Sequence, residues 1–277
     1  MANALQQIIR RKRYEVQEGR KRIPLEDMQR RASEADPPRN FFKAVTTTAG
    51  QRKTAVIAEI KRKSPSAGWM RPEYEHDEFD PVAIAKAYHR AGAAAISCLT
   101  DHEGFGGDLE YIRRIRNRIP LPVLRKDFII DPWQLYEARA ASADAVLLIA
   151  EALREAELVD LLILATELRM TSIVEVHSVE NLLKVRPHIG FPHPGYMLLG
   201  INNRDLGTMT TDVSHTLRLV DLVDDRSILV SESGIRTPTD IQRLQGEDVR
   251  IILVGEHLMR QPDPGRALAE MLGKKSA

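Results

Sequence analysis

Glu59 and Lys61 stand two positions apart at the end of the apolar run TAVIAEI, and four further apolar runs close on charged or amide side chains. LPVLRKDF carries Arg125, Lys126 and Asp127; TSIVEV carries Glu175 and leads into His177; YMLLGIN ends at Asn202 and is followed by Asn203 and Arg204; SILVSES carries Glu232 and Ser233. Lysines, carboxylates and an amide gathered in one place shift one another's proton affinities, which proton transfer at carbonyl and hydroxyl carbons requires. One charge at one strand end marks emergence into water. Five strands closing this way argue for a site, with Lys61, Lys126 and Glu175 as its acid-base groups. Alternation puts Glu59 and Lys61 on one face, inward if Ile60 points toward the helices. Asp127 and His177 are expected to face away from that inner wall.

A second signal concerns anions. SESGI (231–235) and LVGEHLM (253–259) each close a run with a glycine, Gly234 and Gly255, where main-chain N–H groups can turn to an anion unobstructed. In parallel barrels the last two strands are the usual phosphate site, here completed by a short helix beginning at Glu256.

Such residues need a scaffold that brings distant strand ends together. From residue 55 onward, eight short apolar runs alternate with amphipathic stretches. The runs are Leu-rich or β-branched without clean polar alternation, as strands buried on both faces of a parallel sheet read. Helix starts are marked at Asp80-Pro81, Asp131-Pro132, Thr237-Pro238 and Asp263-Pro264, where a capping side chain precedes a proline. Eight β-loop-α units in series predict an α/β fold, a closed (β/α)8 TIM barrel over 51–277; an open doubly wound sheet is the alternative. Residues 1–50 read as a charged helical extension packed on that barrel, the whole forming a single domain.

Composition bounds the partners. Among 277 residues, 40 Lys plus Arg nearly cancel 39 Asp plus Glu, so no global field argues for nucleic acid or a membrane surface. No apolar run spans a bilayer, the Arg-rich start lacks the apolar core of a secretory signal, and a cytoplasmic protein is expected. The single Cys98 excludes an intrachain disulfide, and His188 and His193 in the proline-rich loop PHIGFPHPG read as loop residues, so no metal is expected.

IAEIKRKSPSAG, LRKDFIID, IVEVHS, GINNRDL, VSESGI and LVGEHLM, in that order, resemble the indole-3-glycerol phosphate synthase family from about residue 40 to 270. The resemblance implies conversion of 1-(2-carboxyphenylamino)-1-deoxyribulose 5-phosphate to indole-3-glycerol phosphate, CO2 and water, with no cofactor. It implies Lys126 as the general acid, Lys61 and Glu175 as a further donor and a base, Glu59 tuning Lys61, and Asn202 bonding the reacting oxygen. Ser64, Ser233, Gly234 and Gly255 match phosphate contacts, with Glu256 contributing its main-chain N–H only. Arg204 organises the site beside Asn202, and Glu232 is grouped with the substrate- and phosphate-binding residues. Pro65, Phe105, Phe128 and Leu206 look like apolar walls around the anthranilate ring. Arg62 and Lys63 are expected to be loop charges. A phosphorylated small molecule is the expected partner of a monomer. Another phosphate-sugar barrel enzyme such as phosphoribosylanthranilate isomerase, which normally uses a Cys and an Asp, or a barrel that binds without turnover, remain the alternatives.

Overall fold

A computed structural model describes residues 4–76, 78–205 and 210–274. The eight apolar runs form eight parallel strands: β1 (Ala55–Ile60), β2 (Ala95–Leu99), β3 (Val123–Lys126), β4 (Ala145–Ile149), β5 (Thr171–Val176), β6 (Met197–Asn202), β7 (Leu229–Glu232) and β8 (Ile251–Val254). Each pairs with its neighbours and β1 pairs with both β2 and β8, so the sheet closes into a (β/α)8 barrel. The open-sheet alternative is thereby set aside.

Alternation divides the barrel into two layers. Val56, Ala58 and Ile60 point out and pack with Tyr88, while Ile57, Leu124, Leu147, Ile173, Leu198, Val230 and Leu253 fill the interior. Four helices begin at the marked cap-proline pairs: α4 (Pro81–Ala91), α6 (Pro132–Ala140), α10 (Pro238–Gly246) and α11 (Pro264–Met271). The side chains of Asp80, Asp131, Thr237 and Asp263 accept main-chain N–H groups of the first turn, satisfying donors that the helix itself leaves open. The remaining barrel helices are α5 (Glu110–Arg116), α7 (Glu155–Glu167), α8 (Val179–Val185) and α9 (Ser214–Leu219).

Residues 4–50 run from one end of the barrel to the other. Helix α1 (Ala4–Arg22) crosses the C-terminal ends of the strands, and α2 (Leu25–Glu34) lies against α6. Trp133 of α6 donates its indole N–H to the carbonyl of Ile23 at 3.0 Å, and its ring fills the space above Gly19. Helix α3 (Phe41–Gly50) then buries Phe41, Val45 and Ala49 among Ala55, Ala95 and Ala145, at the opposite end of the barrel, and so plugs its floor. Full burial of Phe41 alone contributes roughly 1.5–3 kcal/mol relative to exposure.

Candidate active site

At the mouth, β3, β5 and β7 turn three charged side chains inward to meet. The Lys126 ammonium donates to Glu175 Oε2 at 2.8 Å and to Glu232 Oε2 at 2.6 Å. Glu232 is 1% exposed and its Oε1 has no hydrogen-bond partner among the described residues. Burial and the Glu175 charge push its carboxyl well above the ordinary range, with Lys126 opposing. Glu175 goes the other way: burial works against ionisation, but Lys126 and His177 beside it hold it below the ordinary range. Burial would discharge Lys126, yet Glu175, Glu232 and Glu59 together raise its proton affinity. Near neutral pH the arrangement is one ammonium, one carboxylate and one carboxylic acid, since two buried carboxylates this close do not both ionise readily. Glu232, expected among the substrate- and phosphate-binding residues, lines the cavity and pairs with Lys126, facing inward in register with Asn202. Gly200 on β6 leaves it room, because a Cβ there would collide with Glu232 Oε1.

On β1, Glu59 Oε1 and Lys61 Nζ lie 2.8 Å apart on the inner face. Gly255, at the end of β8, is what lets Glu59 in: a Cβ at that position would overlap the Glu59 carboxylate. Asn202 accepts the main-chain N–H of Arg204, and Arg204 reaches Ser66 Oγ at 3.0 Å and Glu256 Oε2 at 3.1 Å. Glu256 also meets Arg260, and its carboxyl is held below its ordinary range: burial raises it, but Lys61, Arg204 and Arg260 outweigh burial. The Glu256 charge is thus engaged by arginines. Arg260 in turn donates to the carbonyl of Ala67, so two arginines grip the segment that follows β1.

That segment folds as a small antiparallel pair, Lys63–Ser64 with Gly68–Trp69, with Ser64-Pro65 at its turn. Arg62 does not behave as a solvated loop charge. It donates to the carbonyls of Tyr74, Glu75 and His76 and lies 5.2 Å from the Trp69 ring centroid, tying the loop to the turn before α4. Lys63 lies over the same ring.

Ser64, Pro65, Phe105, Phe128, Asn202, Arg204, Ser233, Gly234, Gly255 and Glu256 line one cavity with the lysines and glutamates. Phe105 and Phe128 stand side by side on its wall, ring centroids 6.1 Å apart and planes tilted by 41°. Ser233 and Gly234 both have positive φ, 69° and 78°, so the chain turns sharply where β7 ends. Leu206 lies outside the described residues. A four-residue helix, Glu256–Met259, does begin at Glu256.

The sequence predicts α1 as part of the helical extension but singles out none of its residues for the site. Leu5 and Ile8 line the cavity, and Lys12 is buried between Asp101 Oδ1 at 2.8 Å and Asp127 Oδ1 at 3.0 Å. Asp101 accepts the Gly104 N–H beneath Phe105, and Asp127 accepts the Phe128 N–H, so one ammonium joins the supports of both rings. The amphipathic stripe of α1 was visible in sequence, but its target was not. Asp127 turns from the inner wall to Lys12, Arg125 and Thr100. His177 does not turn away: two residues beyond Glu175, it shares that residue's side, and its Nε2 stands 3.4 Å from Glu175 Oε1.

Among the described residues no cluster of His, Cys, Asp and Glu is placed to hold a metal ion. Cys98 packs in the outer layer between strands and helices, and burial pushes its thiol far above the ordinary range, so it does not serve this cavity.

A closed parallel barrel that gathers two lysines and three glutamates at the C-terminal ends of its strands is a barrel enzyme built for proton transfer. The family model described as indole-3-glycerol phosphate synthase matches residues 5–271. Indole-3-glycerol phosphate synthase of Rhodospirillum rubrum is 42% identical over 273 residues, covering 99% of this chain and 100% of that protein. The protein of the same name from Rhodopirellula baltica is 45% identical over 242 residues, covering 87% and 88%. Solved structures with the same fold include tryptophan synthase subunit alpha from Legionella pneumophila (18% identical, TM-score 0.58, 85% of this chain and 98% of that one). Another is 3-hexulose-6-phosphate synthase from Salmonella typhimurium (14% identical, TM-score 0.59, 79% and 98%). The chain belongs to the indole-3-glycerol phosphate synthase family. It is a carbon–carbon carboxy-lyase of tryptophan biosynthesis with a phosphorylated small-molecule substrate.

Proposed function

We propose that Lys126 is the general acid that protonates the ketone oxygen of 1-(2-carboxyphenylamino)-1-deoxyribulose 5-phosphate as the anthranilate ring carbon attacks it. The single observation that carries this is the Lys126 ammonium held between Glu175 and Glu232 at the cavity's inner wall. A protonated Glu232 leaves one full negative charge opposing proton transfer, so the ammonium is charged but not locked. Ring closure is followed by loss of CO2, whose bonding electrons restore the aromatic ring. Lys61, set by Glu59, protonates the departing hydroxyl, and Glu175 removes the proton that completes the indole. Asn202, oriented by the Arg204 N–H, bonds the reacting oxygen.

The phosphate sits at the main-chain N–H groups of Ser233, Gly234, Gly255 and Glu256 with the Ser64 hydroxyl, supported by the sharp turn after β7. Pro65, Phe105 and Phe128 enclose the aromatic ring, with Leu5 and Ile8 above it. Residues 1–50 and the barrel act as one domain, and a cytoplasmic monomer needing no cofactor fits these features; among the described residues no helix is long and apolar enough to cross a membrane. The experiment is incubation of the purified, chelator-treated protein with the carboxyphenylamino substrate. Indole absorbance should rise with one CO2 released per product; absence of both sinks the proposal.

A further inference from the structure

We infer that His177 is a positioning residue: an imidazolium clamped between Glu151 and Glu175 that keeps Glu175 ionised while Lys126 is without its proton. The inference rests on the roles given to Lys126 and Glu175 above.

The clamp is built from two successive strand ends. Glu151 follows β4 and grips His177 twice, accepting its main-chain N–H at 2.8 Å with Oε1 and meeting ring Nδ1 at 3.2 Å with Oε2. The ring is thereby fixed with Nδ1–H toward Glu151, and Nε2 lies at ion-pair distance, 3.4 Å, from Glu175 Oε1. Nε2 is buried and has no hydrogen-bond partner among the described residues. A neutral ring in this tautomer would set a lone pair beside a carboxylate, whereas a proton on Nε2 sets a positive charge there. Charges of both signs surround it. Glu232 of β7 stands near in its protonated form, and His215 of α9 donates Nε2–H to the His177 carbonyl at 3.1 Å, with Arg218 and Asp212 behind it. Arg10 and Arg13 of α1 and Asp205 stand across a cavity that also touches Glu151. Burial works against the charge, and the carboxylates outweigh it.

The consequence appears during turnover. At rest Glu175 is held ionised by two cations, Lys126 and His177. Once Lys126 has passed its proton to the ketone, one of them is gone. Without the second, Glu175 would draw a proton back before it is needed as the base. His177 does not touch substrate in this account; it acts through Glu175.

Two measurements test it. In the wild-type protein, nitrogen-detected NMR should show both ring nitrogens of His177 protonated at pH 7, and Glu151→Gln should lose that state. In kinetics at pH 7, His177→Gln should lower kcat about tenfold or more with KM little changed, a tenfold loss matching one unit of proton affinity. His177→Lys, which keeps a cation but not the shape, should recover most of kcat. A neutral wild-type ring, a Gln variant with wild-type kcat, or a Lys variant no better than Gln overturns the inference. The NMR result stands whatever the substrate, whereas a wild-type protein that makes no indole product overturns the underlying reading instead.

Discussion

Lys126 Nζ lies 2.6 Å from Glu232 Oε2, closer than it lies to Glu175. Glu232 is the carboxyl of this pair that keeps its proton, pushed up to about 8 by burial first and by the Glu175 charge next. As pH rises through that value, Glu232 ionises, Lys126 faces two carboxylates, and its proton becomes harder to give. Wild-type kcat should therefore fall on the alkaline side near that pH. Glu232→Gln, which copies the protonated form, should keep turnover and lose the fall; kcat measured from pH 6 to 9.5 decides it, and an identical limb in both proteins removes Glu232 from this role.

Gly255 makes a separable prediction. Because a Cβ there would overlap the Glu59 carboxylate, Gly255→Ala must displace Glu59 from Lys61. Turnover should drop by about one to two orders of magnitude, less than the roughly 10^2–10^4 for losing a proton donor outright because Lys61 itself is kept, while thermal stability changes little. Retained kcat in a normally folded variant would show that the Glu59–Lys61 contact is dispensable.

Asp127 tests the tie between α1 and the barrel. It accepts from Lys12, Thr100, Arg125 and the Phe128 N–H, and its carboxyl is held far below the ordinary range: burial opposes this, while Arg125 and Lys12 drive it. A depressed carboxyl contributes stability that is complete above its unfolded pKa and is lost as pH falls through the folded value. Asp127→Asn should cost about 3–5 kcal/mol at neutral pH, as expected when one member of a buried ion network is removed. The gap to wild type in urea unfolding should hold down to about pH 4, the unfolded carboxylate value, and narrow below it. A pH-independent gap would point to shape, not charge.

The fold was legible because its signals are local. Doubly buried strands read as unbroken apolar runs, and the four cap-proline pairs that open helices form the caps their residue types suggest. The charged strand ends were legible for the same reason, since Glu59, Lys61, Lys126, Glu175 and Asn202 each close an apolar run and the barrel brings them into one cavity. What was not legible is long-range. Nothing in the sequence near Lys12 says that it will sit between Asp101 and Asp127, and nothing near Phe41 says that it will plug the barrel floor. Glu232 reads in sequence as a neighbour of Ser233 and Gly234, and nothing beside it announces its contact with Lys126 across the barrel. His177 lies just past the end of its apolar run and reads as facing away, yet its two-residue spacing from Glu175 puts both on one side.

The central claim is that Lys126 supplies the proton for chemistry while other groups supply binding. Lys126→Met keeps the side chain out to Cε and removes the ammonium. Measured side by side, kcat for indole formation should fall by about 10^2–10^4, the range for loss of a general acid, while indole-3-glycerol phosphate should bind with little loss of affinity. A Lys126→Met variant that turns over at the wild-type rate, or that loses product binding in step with kcat, would contradict the account.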